Sequence, residues 1–338
     1  MTTRAYTAGE LTVHTDPAQL SAVSSTLRAA GRKVALVATM GALHEGHVEL
    51  IRRARRAPGA VVTAVSIFVN PAQFGAGEDL DRYPRTLESD LERCRGAGAE
   101  LVFTPEVDAI YPPGDTGITV DPGPLGEVLD GAIRPGHFRG VLTVVAKLFG
   151  IVRPQLAHFG EKDYQQLVLI RRMARQLNLG VDVIGVPTVR EPDGLAMSSR
   201  NAYLDPGERR RAVVLSMALT AARDASRHGA DAVLDAAHQV LAADPALQVE
   251  YVELRDPELG PAPDHGQARL LVAARLGDTR LIDNIALTLG GQSLGGTHDP
   301  HHAQVQDPPR HGHPGRPALR GLGDGRCGPD GRRRPALR

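Results

Sequence analysis

Two apolar spacings alternate along the first half of the chain. Residues 34–38 and 61–69 are short runs rich in β-branched side chains and bounded by turn residues, the pattern of strands buried on both faces. Between them Val48, Ile51 and Ala54, with Leu50 beside them, recur at helical spacing while Glu49 and several arginines take the opposite face. Strand, helix and strand in so few residues form a βαβ unit, which makes the sheet parallel at least in part. Upstream, Asp16 and Pro17 open a helix over 16–30, with Leu20, Val23 and Leu27 on one face and Gly31 ending it. Downstream, the pattern predicts a polar helix after Pro84 with Leu87, Leu91 and Cys94 inward, and a third short strand over 101–103. A loop-rich stretch over 111–140 follows, then a buried helix over 141–152 whose only charge is Lys147. A strand over 156–159 hands over to a helix carrying Leu167, Ile170, Ala174 and Leu177, and residues 181–186 predict one more strand.

Beyond Pro187 the pattern changes. Asp205 and Pro206 cap a helix over 207–228, a second covers 230–243, and strands are expected over 249–254, 269–275 and 279–289, a small α+β unit. The expected organisation is therefore an α/β domain with a parallel sheet over 1–187, a smaller α+β domain over 188–289, and a tail over 290–338. That tail holds 11 Gly, 7 Pro, 8 Arg and 5 His and very few large apolar side chains, so it is expected to be disordered. Its arginines outnumber its four aspartates, which makes it basic.

Composition narrows the class. The 338 residues carry no formal net charge, with 42% hydrophobic and 23% charged residues, as in a globular protein. Without a basic excess or basic–aromatic interleaving, nucleic acid is not an expected partner. Residues 1–10 lack the apolar stretch of a signal peptide, and no apolar run approaches the length of a membrane span, so the expected location is cytoplasmic and away from membranes. The two cysteines, Cys94 and Cys327, build neither a disulfide framework nor a metal site. With no Trp and 4% aromatics, the core must come from Val, Leu, Ile and Ala.

Candidate chemistry gathers where strands hand over to helices. His44-Glu45-Gly46-His47 sits at such a junction, where unpaired N–H groups and the helix dipole attract phosphate. Gly41 and Gly46 would let a polyphosphate approach the backbone, and His44 and His47 could donate to phosphoryl oxygens. A zinc pair is the rival, although the spacing is not HExxH and no third ligand is evident nearby. Asn70 and Gln73 lie at the carboxyl end of the second strand, placed either to read a small polar substrate or merely to start a turn. In the second hinge, Gly160-Glu161-Lys162-Asp163, the lysine could neutralise phosphate and the aspartate could contact magnesium or a ribose, with Gln166 one turn on; the alternative is a solvated turn. The loop from Val189 to Asn201 offers Ser198, Ser199 and Arg200 as a mobile clamp on a triphosphate, or an ordinary approach to a helix.

Taken in order, TMGALHEGH, FVNPAQF, FGEKDYQQL and VPTVREPDGLAMSSRN resemble the pantoate–β-alanine ligase (pantothenate synthetase) family across residues 10–289. The resemblance implies a Rossmann-like nucleotidyltransferase domain related to class I aminoacyl-tRNA synthetases. His44 to His47 would be its HIGH-type signature, and Met197 to Arg200 would stand in place of the KMSKS loop. It implies two steps. ATP and pantoate give pantoyl adenylate and pyrophosphate with magnesium required, then β-alanine attacks the adenylate to give pantothenate and AMP. By the same resemblance Met40, Gly41, Ala42, Leu43, His44, Glu45, Gly46, His47, Gly160, Glu161, Lys162, Asp163, Val189, Met197, Ser198, Ser199 and Arg200 contact ATP. Gln73 and Gln166, with Asn70, hold pantoate, and Gln73 also meets β-alanine. His44, His47, Lys162 and Arg200 would carry the chemistry, and a homodimer through the N-terminal domain is expected. An adenylyl- or cytidylyltransferase acting on a phosphorylated substrate is the runner-up, short of the basic residues such a substrate wants.

Overall fold

A computed structural model describes residues 6–114 and 117–290; the tail beyond 290, expected above to be disordered, lies outside the described residues. The chain runs β1 (Thr12–His14), α1 (Pro17–Ala29), β2 (Lys33–Thr39), α2 (Glu45–Arg55), β3 (Val61–Ile67), α3 (Leu87–Ala97), β4 (Leu101–Phe103), α4 (Val107–Ile110), α5 (Asp130–Ile133), α6 (His137–Val152), β5 (Leu156–Gly160), α7 (Tyr164–Gln176) and β6 (Asp182–Val186). The second part comprises α8 (Pro206–Arg211), α9 (Val214–Ala225), α10 (Ala230–Leu241), β7 (Gln248–Arg255), β8 (Gly266–Leu276) and β9 (Thr279–Leu289).

Strands β1 to β6 form one parallel sheet in the order β1-β4-β3-β2-β5-β6, and β7-β8-β9 a separate antiparallel sheet. Alternate residues of the central strands face opposite layers. Val34, Leu36, Val62 and Ala64 pack with Leu20 and Leu27 of α1 and the apolar side of α6 and α7. Ala35, Val37 and Val65 pack with Val48, Ile51 and Ala54 of α2 and Cys94 of α3. Since strand order reverses around β2, the loops after β2 and β5 open into one crevice at the sheet's carboxyl edge, the usual ligand position in an open α/β sheet. In the antiparallel sheet, α9 and α10 cover one face, while Leu271 and Tyr251 on the other join the core of the parallel-sheet unit. Among the described residues no helix is long and apolar enough to cross a membrane.

Several elements depart from the sequence pattern. The three-residue edge strand β1 is too short to show an alternation and was not expected. The helix predicted over 207–228 is broken into α8, α9 and a final 3₁₀ turn (Ser226–His228). Helix α6 starts at His137, inside the stretch expected to be loop, because Gly136 in a left-handed conformation starts it without an acidic or hydroxyl cap. Leu87 and Leu177, both expected inward, are 45% and 53% exposed; α3 instead buries Asp90.

Candidate active site

After β2 the chain turns through Met40 to Leu43 before α2. The buried Asp90 carboxylate accepts the Ala42 and Leu43 N–H groups (3.0 and 2.8 Å) and the Thr86 hydroxyl (3.2 Å). The Ala42 and Leu43 amides, in the stretch expected to contact ATP, are thus bonded within the protein, and Gly41 lies against Asp90. Gly46 also makes room for the imidazole, because a Cβ there would lie 2.8 Å from His44 Cε1. Glu45 points away from the crevice and pairs with Arg52.

His44 and His47 form a reciprocal cap on α2. His44 Nδ1 accepts the Gly46 N–H (3.1 Å), His47 Nδ1 accepts the His44 N–H (3.3 Å), and the rings lie 4.1 Å apart. An imidazole nitrogen that accepts cannot carry the proton, so both neutral rings bear it on Nε2. Burial, with the Lys162 charge adding to it, lowers the pKa of His44 to about 4. Burial followed by the His44 and Lys162 charges lowers that of His47 to about 3. At neutral pH the helix terminus thus presents two uncharged Nε2–H donors with an ammonium nearby.

At the end of β3 the Asn70 amide is fully engaged within the protein. Its oxygen accepts the Ala72 N–H (3.3 Å) and the Tyr111 hydroxyl (2.9 Å), and its nitrogen donates to Gln73 Oε1 (3.0 Å) and to the Gly140 carbonyl (3.2 Å). Asn70 orients Gln73, whose own amide nitrogen lies 3.1 Å from Met40 Sδ. The basic stretch expected to be loop also reaches this wall. His137 Nδ1–H donates to the Gln73 carbonyl (2.8 Å) and its Nε2 accepts from Arg134 (3.0 Å), while Arg134 Nε donates to Glu78 (2.9 Å). Burial and the adjacent Arg134 charge lower the His137 pKa to about 4.

These segments enclose a cavity of about 220 Å³. Its lining holds Met40, His44, Gly46, His47, Asn70, Gln73, Gly160, Lys162, Asp163, Gln166, Val189, Met197, Ser198, Ser199 and Arg200, and excludes Gly41, Ala42, Leu43, Glu45 and Glu161, which shape the turns from behind. Glu161 instead pairs with Arg269 (2.9 Å). Val141, Val144, Val145 and Leu148, from the run expected to be a buried helix, form with Phe159 the apolar wall of the cavity. A larger cavity of about 530 Å³ adjoins it and shares Arg134, His137, Lys162, Asp163, Gln166, Ser198 and Arg200.

Arg200 lies in both cavities, but its guanidinium makes two 2.9 Å hydrogen bonds to Asp79. Burial pushes the Asp79 carboxyl up; the Arg200 hydrogen bonds and charge outweigh it and hold Asp79 below the usual range. The clamp expected of Arg200 is thus held by a countercharge that no sequence motif marked. Ser199 Oγ donates to the Ala42 carbonyl (3.1 Å), which ties this loop to the first turn. Asp163, 49% exposed at its side chain, is the single carboxylate among the described residues that line the 220 Å³ cavity. Among the described residues no group of three or more His, Cys, Asp or Glu is arranged to hold a metal ion.

The family model described as pantoate-beta-alanine ligase matches residues 12–286. Pantothenate synthetases of Saccharopolyspora erythraea and Mycolicibacterium smegmatis are 63% and 62% identical to this chain, each over 85% of it and over 94% and 91% of their own lengths. The crystal structure of pantothenate synthetase from Thermus thermophilus superposes with a TM-score of 0.76 at 46% identity, covering 81% of this chain and 99% of that one. The Francisella tularensis pantoate-beta-alanine ligase, complexed with beta-gamma ATP and beta-alanine, gives 0.67 at 30% identity, covering 81% and 97%. Family match, identity over most of both chains, and a shared fold agree with the crevice geometry: this chain belongs to the pantoate–β-alanine ligase family.

Proposed function

We propose that the crevice joins pantoate to β-alanine at the expense of ATP, through pantoyl adenylate, with release of pyrophosphate and then AMP. The observation that carries this is the pair of neutral Nε2–H donors at the start of α2, set beside Lys162 and next to a small cavity walled by amides and apolar side chains. Pantoate has a matching chemistry: two hydroxyls for Gln73 and Gln166, and a dimethyl carbon for Val141, Val144 and Val145. A phosphorylated substrate fits less well, since Arg134 on that wall is already paired with Glu78.

In the first step the pantoate carboxylate attacks the α-phosphorus in line as pyrophosphate leaves, a reaction governed by positioning and charge stabilisation. Nε2–H of His44 and His47 would donate to the phosphoryl oxygens, and Lys162 would neutralise part of their charge. Neither histidine needs to transfer a proton. Met40, Gly46, Gly160, Val189 and Met197 to Ser199 would line the nucleotide, with Arg200 moving from Asp79 to the outer phosphates. In the second step the β-alanine amine, as the free base, attacks the acyl carbon near Gln73. The acyl–oxygen bond breaks, the oxygen leaves on AMP, and the nitrogen releases a proton to water as the amide forms.

Magnesium fits this residue set, because the ion commonly keeps waters and phosphate oxygens and takes one or two carboxylates, and Asp163 is the carboxylate available. When bound it would neutralise phosphate charge. The same proposal gives residues 1–187 the pantoate pocket and the start of the nucleotide site, and makes 188–289 the closing unit that adds Val189 and Met197 to Arg200. It includes a cytoplasmic location and a homodimer, the latter detectable by sedimentation.

The test is incubation with ATP, magnesium and pantoate, with and without β-alanine, following pyrophosphate and AMP separately. Pyrophosphate should form from pantoate alone, AMP should be released only with β-alanine, and His47→Ala should slow adenylate formation by about 10²- to 10³-fold. Pyrophosphate release that ignores pantoate would overturn the substrate assignment.

A further inference from the structure

We propose that Asn284, on β9 of the C-terminal sheet, is a positioning residue for Lys162, and that with its neighbour Asp283 it ties both phosphate-handling segments to that one strand. Asn284 is 4% exposed. Its amide nitrogen donates to the carbonyls of Glu161 and Lys162 (2.9 and 2.8 Å), and its oxygen accepts from Arg269 Nε (2.9 Å). Arg269 in turn bonds Glu161 (2.9 Å) and lies 3.7 Å over the Tyr164 ring. The turn from Glu161 to Tyr164 is therefore gripped at backbone, carboxylate and ring by two residues from a different sheet.

The two carbonyls have no helical partner. The first hydrogen bond of α7 goes from Leu167 N–H to the Asp163 carbonyl (3.0 Å), one residue further on. Without the Asn284 amide, two half-buried backbone acceptors and one buried Arg269 donor would lose their partner, and the turn would lose the contact that fixes its position. A shift there moves Lys162, whose ammonium is close enough to His44 and His47 to lower their pKa values.

Asp283 faces the other way. Its register partner on β8, Val272, packs in the C-terminal core, whereas Leu271, the partner of Asn284, packs in the core of the parallel-sheet unit. Asp283 holds Arg190 through two hydrogen bonds (2.6 and 2.9 Å), and Arg190 also bonds the Gly194 carbonyl (3.0 Å). Arg190 and Ala196 bridge across the bend that delivers Met197 to Arg200. Adjacent residues of one strand thus fix the Lys162 turn and the base of the Ser198–Arg200 loop, so the spacing between lysine and clamp is set by β9 rather than by either segment alone.

The role given to Lys162 is the one proposed above, so the experiment is a double-mutant cycle that separates the two. Adenylate formation from ATP and pantoate, without β-alanine, is measured in single turnover with enzyme in excess for the wild type, Asn284→Ala, Lys162→Ala and the double variant. Thermal unfolding and the KM for pantoate are recorded alongside. Asn284→Ala is expected to slow adenylation about 10- to 100-fold, in line with small displacements of a catalytic group, with the KM for pantoate within about twofold. In the Lys162→Ala background the same substitution should matter less than about threefold, since it acts through the lysine. Asn284→Ser, which replaces the amide by a smaller hydrogen-bonding hydroxyl, repeats the cycle should the alanine variant not fold. Full multiplication of the two effects, or unchanged adenylation in a folded Asn284→Ala protein, would overturn the proposal. Normal adenylation by Lys162→Ala itself would instead overturn the role given to the lysine.

Discussion

His44 and His47 each give a Nδ1 lone pair to a backbone N–H, so the helix terminus that would attract phosphate also fixes which nitrogen points to it as a donor. With pKa values lowered to about 4 and 3, both rings are uncharged across the physiological range. A long-range ¹⁵N–¹H spectrum of the free protein should show both rings with the proton on Nε2 and neither titrating between pH 8 and 5. A titration with a midpoint near the ordinary histidine value would show that the donors are imidazolium and would contradict the neutral-donor account. Asp90 is the counterpart that holds this turn from behind, and Asp79 holds Arg200 in the same way. Neither carboxylate stands in a motif; each acts across a distance in sequence that only the fold closes.

Among the elements, α6 shows most clearly what could be read in advance and what could not. Its apolar run predicted a buried helix, and Phe138, Val141, Leu142, Val145 and Leu148 are buried. Its start at His137 and its use as a cavity wall depend on tertiary contacts: the His137 bond to the Gln73 carbonyl and the Asn70 bond to Gly140. Strand–helix junctions after β2 and β5 were legible because apolar runs end abruptly there; that they open side by side follows from strand order, which periodicity does not encode. The break between α8 and α9 was illegible for a different reason: α8 carries no apolar side chain that could show a spacing, and neither Gly nor Pro marks its junction with α9 at Ala212 and Val213. Gly140 marks the closest approach of α6 to the 3₁₀ turn Pro71–Gln73, and an added Cβ would overlap the Ala72 carbonyl oxygen. Gly140→Ala should therefore push the Gln73 turn aside, raise the KM for pantoate by about tenfold or more, and destabilise the protein by about 1–3 kcal/mol, as overpacking does. Unchanged KM and thermal midpoint would show that the turn yields freely and does not set the pocket.

For the molecule as a whole, buried neutral histidines tie stability to pH. His14, His44, His47, His137 and His158 are all shifted downward, burial being the largest cause in each. Below the ordinary histidine value of about 6.5 the unfolded chain takes up protons that the folded chain refuses, so stability is complete above that pH and declines as pH falls toward 4. Thermal midpoints between pH 7.5 and 4.5 should drop across that window, and His158→Gln, which removes a titrating ring away from the substrate cavity, should lessen the drop; a flat profile would contradict burial of the neutral rings. The central claim is that this crevice activates a carboxylate as its adenylate before an amine displaces AMP. Pantoate labelled with ¹⁸O in its carboxylate tests it most directly, because the attacking oxygen stays on the α-phosphorus when the acyl–oxygen bond breaks. With ATP and β-alanine, one ¹⁸O should appear in AMP, as seen by mass spectrometry; unlabelled AMP, or label recovered in inorganic phosphate, would contradict the account.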